Sequence, residues 1–261
     1  MKIPLYQIDA FTAKPFGGNP AAVCPLEEWL DDATMQAIAM ENNLSETAFY
    51  VPEDEGFHLR WFTPAIEVEL CGHATLASAW VIFNRFDWPL ESIDFRSRSG
   101  VLTVTRDGER LVLDFPARPA EPVGGIDAAA DALGARPTEM LLAGNGNALA
   151  VFDSAHAVRA LKPEFRKVAA LEPFGVIATG PGEDCDFVSR YFVPKAGLDE
   201  DPVTGSAHCT LVPYWSARLG KNKLFARQVS KRGGELWCED RGDRTLIAGQ
   251  CAPVIEGTLT L

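Results

Sequence analysis

The chain repeats itself at long range, and this limits its fold more than any other feature. Gly18-Asn19-Pro20-Ala21-Ala22-Val23 returns 128 residues later as Gly146-Asn147-Ala148-Leu149-Ala150-Val151. Arg60-Trp61-Phe62-Thr63-Pro64 returns after 130 residues as Arg190-Tyr191-Phe192-Val193-Pro194. His73-Ala74-Thr75-Leu76, with Trp80 beyond it, returns after 135 as His208-Cys209-Thr210-Leu211 with Trp215. Gly100-Val101-Leu102 and Gly234-Glu235-Leu236 stand 134 apart. Four matches in one order at nearly one offset signal a duplicated unit, and the period is far too long for a solenoid. Two tandem domains also suit 261 residues at about 150 per domain.

The stretch from Pro116 to Gly125 holds three prolines and two glycines and reads as the connection. The expected lobes are therefore residues 1–117 and 125–261, joined by 118–124, with the final strand a candidate to pack back on the first lobe. Ala48-Phe49-Tyr50-Val51, Leu59-Arg60-Trp61-Phe62 and Val101-Leu102-Thr103-Val104-Thr105 are rich in aromatic and β-branched residues and read as strands. A helix is expected from Ala33 to Asn42, capped by Asp31 or Asp32. A second begins near Gly72 and is apolar on nearly every face, which requires burial on every side. Its repeat starts near Ser206 and carries Pro213, a residue expected to kink it. The fold class read from this is α/β (α+β): two similar lobes, each a β-rich unit around one central helix.

Charge and cysteine usage then remove whole classes of function. Lys and Arg number 24 against 36 Asp and Glu, a net charge of −12, so nucleic acid and anionic membranes are poor partners. The six cysteines form no C-x-x-C pair and no short-range framework. The amino terminus lacks a signal-like apolar region. The longest mostly apolar run, Cys71 to Phe83, has thirteen residues and is too short to span a bilayer. A cytoplasmic protein with reduced thiols is the expectation.

Both buried helices open on a tight turn, Leu70-Cys71-Gly72-His73 and Asp201-Pro202-Val203-Thr204-Gly205-Ser206. Helix N-termini offer unpaired N–H groups and a fractional positive charge, which would let an acidic protein hold a small anion, and more so if the two ends converge. Capped core helices would show the same pattern. Glu46, in Asn43-Leu44-Ser45-Glu46-Thr47, is either a solvated acid in a turn or a carboxylate carried into a cleft for proton transfer. His73 and Asp201 could orient such a base, or serve as a polar cap and a loop acid.

At this point the residues resemble a family. Asp9-Ala10-Phe11-Thr12, Gly17-Gly18-Asn19-Pro20, Asn43-Leu44-Ser45-Glu46-Thr47, Phe62-Thr63-Pro64, Glu69-Leu70-Cys71-Gly72-His73-Ala74-Thr75 and Glu200-Asp201-Pro202-Val203-Thr204-Gly205-Ser206-Ala207-His208 together look like the PhzF, or phenazine-biosynthesis-like, isomerases. The resemblance runs in order over nearly the whole chain. It implies a diaminopimelate-epimerase-like fold of two pseudo-symmetric lobes, each a curled, mostly antiparallel sheet around a central helix, with the site between them. It also implies a cofactor-free, commonly homodimeric enzyme whose best-known reaction isomerises trans-2,3-dihydro-3-hydroxyanthranilate. By motif, Glu46 matches the family's acid/base, and His73 and Asp201 match its polar partners. Gly72, Gly205, Ser206 and Asn19 match positions that hold the substrate, a small carboxylate.

Other readings remain beside it. Racemases of this fold use two opposed cysteines; Cys71 fills the first place, but Thr204 stands at the second, leaving at most a one-thiol racemase or dehydratase. A metal shared by Cys71, His73, His208 and Cys209 is disfavoured, because adjacent residues on a helix point about 100° apart, and no metal is expected. Gly144-Asn145-Gly146-Asn147 lacks the third glycine of a dinucleotide loop and is better read as the repeat of Gly17-Gly18-Asn19. A small-carboxylate-binding protein without turnover is the remaining class.

Overall fold

Where the sequence alternates or clusters β-branched and aromatic residues, strands form, and the duplication shows directly in their pairing. The computed structural model describes residues 1–53 and 55–261. One unit comprises Met1–Asp114 with Ala248–Leu261, the other Phe115–Ile247. The first contains β1 (Lys2–Ala10), β2 (Asn19–Pro25), α1 (Asp32–Asn42), β3 (Glu46–Glu53), β4 (Gly56–Phe62), β5 (Glu67–Val68), α2 (Gly72–Arg85), β6 (Ser92–Ser97), β7 (Gly100–Asp107) and most of β8 (Arg110–Pro116). The second contains β9 (Ala120–Pro122), α3 (Ile126–Leu133), β10 (Glu139–Ala143), β11 (Ala148–Val151), α4 (Ala155–Ala160), α5 (Phe165–Ala170), β12 (Val176–Pro181), β13 (Phe187–Val193), β14 (Leu198–Asp201), α6 (Gly205–Leu219), β15 (Lys223–Gln228), β16 (Gly234–Asp240) and most of β17 (Arg244–Gly249). The final strand, β18 (Cys251–Thr260), belongs to the first unit and runs antiparallel to β1, from Lys2 opposite Thr260 to Ala10 opposite Cys251.

Each unit has the same ladder. β2–β3 and β4–β6 run parallel, while β3–β4 and β6–β7 run antiparallel. β11–β12 and β13–β15 run parallel, while β12–β13 and β15–β16 run antiparallel. The strands expected within 48–51, 59–62 and 101–105 lie in β3, β4 and β7. The seven residues 118–124, expected to link the lobes, fall in the second unit, and Ala120–Pro122 is a strand paired with β10.

The repeated Arg60 and Arg190 explain one part of the duplication. Arg60 Nε and Nη2 donate to the two oxygens of Glu67 at 2.7 and 2.8 Å. Arg190 repeats this on Glu200 at the same distances, 2.7 and 2.8 Å. Each guanidinium also lies over the phenylalanine two residues on, Phe62 at 5.2 Å and Phe192 at 4.8 Å. Such bidentate, partly buried pairs fix β4 to β5 and β13 to β14, the strands that lead into the two central helices.

Those helices are buried on most faces, as their composition requires. In α2 the buried set runs His73, Ala74, Thr75, Leu76, Ala77, Ser78, Ala79, Val81, Ile82 and Phe83, packed against β1, β2 and β3. Its hydroxyls turn inward on their own helix, Thr75 Oγ1 to Cys71 O at 2.6 Å and Ser78 Oγ to Ala74 O at 2.8 Å. Pro213 sits inside α6 and has no N–H for the Cys209 carbonyl four residues back. That carbonyl accepts instead from the backbone N–H of Arg118 at 2.8 Å. Trp215 stacks on Phe187 with ring centres 5.7 Å apart and donates to Thr179 Oγ1 at 3.0 Å.

Arg190→Met leaves Glu200 without its guanidinium and also frees the Leu161 carbonyl, bonded at 3.0 Å. A loss of about 2–3 kcal/mol of unfolding free energy is expected, measured by urea denaturation. Arg60→Met should cost less, because Arg98 also reaches Glu67, at 2.7 Å.

Candidate active site

The first unit gathers Asn19, Glu46, Cys71 and His73 through three separate turns. Gly18 sits at φ +59°, and a Cβ there would lie 2.1 Å from the Ala10 carbonyl oxygen, so only glycine permits the approach that starts β2 at Asn19. Asp31 caps α1, accepting from the Thr34 N–H at 2.9 Å. The helix ends at Asn43 in the left-handed region (φ 49°, ψ 37°), which turns the chain into β3 with Glu46 as its first residue. Asn42 Nδ2 holds Thr47 Oγ1 at 3.1 Å, fixing the entry. Cys71 is the N-cap of α2, Gly72 its first residue and His73 its second.

The imidazole of His73 is the hub. Its Nε2 lies 3.1 Å from Glu46 Oε2, at ion-pair distance though with angles outside the hydrogen-bonding range. Its Nδ1 lies 3.2 Å from Asn19 Nδ2 and 3.5 Å from Cys71 Sγ. In the neutral ring Nδ1 accepts from the Asn19 amide and the proton sits on Nε2, facing Glu46; in the charged ring Nδ1 also donates, and the Asn19 amide has to present its oxygen instead. Burial works against a charged ring, but Cys71 and Glu46 outweigh it and raise the His73 pKa well above the usual value. Burial first, and Glu46 second, push the Cys71 thiol up to about 11. The thiol is therefore neutral near pH 7, and the carboxylate is the negative partner that favours a proton on His73. Glu46 is a half-buried carboxylate, its side chain 19% exposed, and not a solvated turn acid. His73 is a buried partner and not a helix cap.

The second unit holds the other three expected residues. Asp201 ends β14, Gly205 opens α6 and Ser206 follows it. Thr204 is the N-cap, the position Cys71 occupies in α2, and its hydroxyl donates to Asp201 Oδ2. Gln228 clamps this turn. Its Oε1 accepts from the Thr204 N–H at 2.9 Å, and its Nε2 donates to the Asp201 carbonyl at 2.8 Å. Ser230 Oγ adds a bond to the Pro202 carbonyl at 2.7 Å. Sequence reasoning passed over Gln228, yet a signal was there: Leu224, Ala226 and Gln228 alternate on the buried side of β15, and a buried amide needs partners.

The duplication is chemically one-sided. Asn147, the repeat of Asn19, accepts from the Tyr191 hydroxyl at 2.9 Å. Where β3 opens on Glu46, β12 opens on buried Val176-Ile177-Ala178 and carries no acid. In the helix register set by the two N-caps, Ser206 stands at the place of His73, and His208, at the place of Thr75, binds the Thr204 carbonyl through Nδ1 at 2.8 Å. Among the described residues, the donor atoms of Glu46, Cys71 and His73 also form a group within 4.8 Å of one another. No described helix is long and apolar enough to cross a membrane.

The chain matches the PhzC/PhzF family, described as phenazine biosynthesis-like proteins, over residues 8–257. It is 52% identical over 261 residues to an uncharacterized isomerase of Pseudomonas aeruginosa, with both chains covered in full. A crystal structure of a PhzF-family protein from Enterococcus faecalis superposes with a TM-score of 0.98 at 46% identity, again over 100% of both chains. A hydroxyproline epimerase from Agrobacterium vitis, 11% identical, gives a TM-score of 0.63 over 100% of this chain and 93% of that one, a likeness of fold alone. The chain belongs to the PhzC/PhzF family and has the fold shared by PhzF proteins and epimerases of the diaminopimelate-epimerase type.

Burial lowers the His208 pKa to about 4, against about 6.5 in an unfolded chain. The neutral ring is the form the fold accepts, so its contribution to stability is complete above pH 6.5 and is lost as pH falls through about 4. Relative to His208→Gln, wild type should lose on the order of 3 kcal/mol across that window, read by urea denaturation at a series of pH values.

Proposed function

We propose that this chain is a cofactor-independent isomerase that moves a proton between carbons of a small carboxylate, with Glu46 as the general acid/base. The observation that carries the reading is the placement of one half-buried carboxylate 3.1 Å from the imidazole at the start of a buried helix, with no counterpart acid on the matching strand. A single carboxylate can remove a proton from one carbon and return it to another on the same face of the substrate. His73 keeps its Nε2 proton toward Glu46 and steadies the carboxylate before and after transfer, while Asn19 fixes the ring's tautomer.

Following the resemblance, substrate holding is assigned to Asn19 and the backbone donor at Gly72; Gly205 and Ser206 carry the same assignment at the start of their own helix, with Asp201 as a polar partner beside them. Neither Cys71 nor Thr204 makes a side-chain cap bond to its helix, whereas Asp31 and Ser154 do so for α1 and α4. The first turns of α2 and of α6 are each left without a side-chain cap, a helix end of the kind that can take a carboxylate. The P. aeruginosa relative is named an isomerase, which agrees with this class of reaction. A relation to trans-2,3-dihydro-3-hydroxyanthranilate isomerase and a homodimeric assembly follow from the sequence resemblance and complete the proposal.

The competing one-thiol racemase or dehydratase reading needs Cys71 as base. A thiol held up to about 11 is a poor base at neutral pH, and Thr204 stands where a second thiol would be. The test is solvent-deuterium incorporation into trans-2,3-dihydro-3-hydroxyanthranilate or a similar cyclic amino acid, followed by mass spectrometry. Glu46→Gln should slow exchange by about 10²–10⁴-fold, the usual share of general acid/base catalysis. Cys71→Ser should stay within about twofold of wild type, since the thiol is outside the proposed proton path. The reverse pattern establishes the thiol reading, and binding without exchange in wild type establishes a non-catalytic carboxylate binder.

A further inference from the structure

Cys71 is a buried thiol that the proposed mechanism does not use, yet it stands in a specific arrangement. Its Sγ lies 3.5 Å from His73 Nδ1, and with Glu46 it belongs to a three-residue group whose donor atoms all fall within 4.8 Å. Sulfur, imidazole nitrogen and carboxylate oxygen are the donor types that bind zinc and its softer relatives, at about 2.3, 2.1 and 2.1 Å respectively. Donors at those lengths around a tetrahedral ion stand about 3.5 Å apart. Cys71 Sγ faces Nδ1 of the His73 ring and Glu46 Oε2 faces Nε2, so an ion held by one ring nitrogen needs the Glu46 side chain, the most exposed of the three at 19%, to swing toward the thiol side.

We propose that Glu46, Cys71 and His73 form a binding site for a soft divalent cation, zinc or cadmium, whose occupation blocks the proton transfer assigned to Glu46. Its inhibitory half rests on the functional reading above; its binding half does not. Binding forms a metal–sulfur bond, releases the thiol proton to solvent, and takes the Glu46 carboxylate and one His73 nitrogen as further ligands. Three protein ligands leave a fourth tetrahedral position to water. Magnesium, which demands six oxygen-type ligands, finds too few here. The site would make the protein sensitive to free zinc without giving the metal any part in the reaction.

The probe is cadmium, titrated into purified protein and followed by its thiolate charge-transfer absorption. Wild type is expected to bind one ion per chain with this signature, and Cys71→Ser to lose it. Serine is favoured at an N-cap, so the variant keeps a sound start to α2; Cys71→Ala provides a second version. In the deuterium-exchange assay zinc should inhibit wild type, magnesium should not, and Cys71→Ser should weaken zinc inhibition at least about tenfold, as expected for loss of a ligand. A cadmium–thiolate signal that is absent in wild type, or that persists in both variants, overturns the site. Full zinc sensitivity in Cys71→Ser overturns its inhibitory role. A chain that exchanges no substrate hydrogen but shows Cys71-dependent cadmium absorption refutes the isomerase reading and leaves the binding site established.

Discussion

A helix without a polar face has to be enclosed on every side, and that requirement organises each unit of this chain. Enclosure of α2 by β1, β2 and β3 forces its N-terminus to emerge where β2 and β3 begin. Asn19 opens β2, Glu46 opens β3 and His73 is the second residue of α2, so three residues far apart in sequence meet because three elements start at one place. The parallel pairing of β2 with β3, with Ala21 opposite Glu46, aligns those starts. A polar group at such a point is surrounded by apolar mass, and that surrounding holds the Cys71 thiol protonated.

Duplication supplied the scaffold twice, and divergence left the chemistry once. The Arg–Glu pairs recur with nearly the same geometry because both units need their strands tied before the central helix. Other repeats have parted. Asn19 faces an imidazole while Asn147 accepts from a tyrosine; Cys71 and Thr204 share a position but not a donor type; Trp215 is stacked on Phe187, while Trp80 is half-buried under Arg85. His73 contacts a carboxylate, whereas Ser206 stands at its place in α6, and His208, two residues further on, is turned to a backbone carbonyl and held neutral. A protein built for symmetric two-base chemistry would have kept its two halves alike at these places.

Much of this was legible in the residues. The α1 cap at Asp31, the apolar helix from Gly72 and the repeated motifs followed from local rules, because each depends on neighbours within a few positions. The family resemblance led to Glu46 and His73, though composition alone left Glu46 indistinguishable from a turn acid. What periodicity could not reveal were contacts made across the chain. Gln228 reaches back 24 residues to Thr204, and the Arg118 N–H satisfies a carbonyl that Pro213 leaves without a donor. The proline-rich stretch 116–125 reads as a connection because three prolines look like punctuation, yet an edge strand needs donors on only one side and β9 pairs along β10.

The pairing of β1 with β18 makes the first unit discontinuous. During synthesis β1 leaves the ribosome before the whole second unit, and one of its two neighbours, β18, leaves after it. The second unit has all of its chain available sooner, so it is able to close while the first still shows an unpaired strand edge. Such an edge invites pairing with other chains. Slow translation of the codons for β18 would therefore prolong the interval in which that edge of β1 stays unpaired.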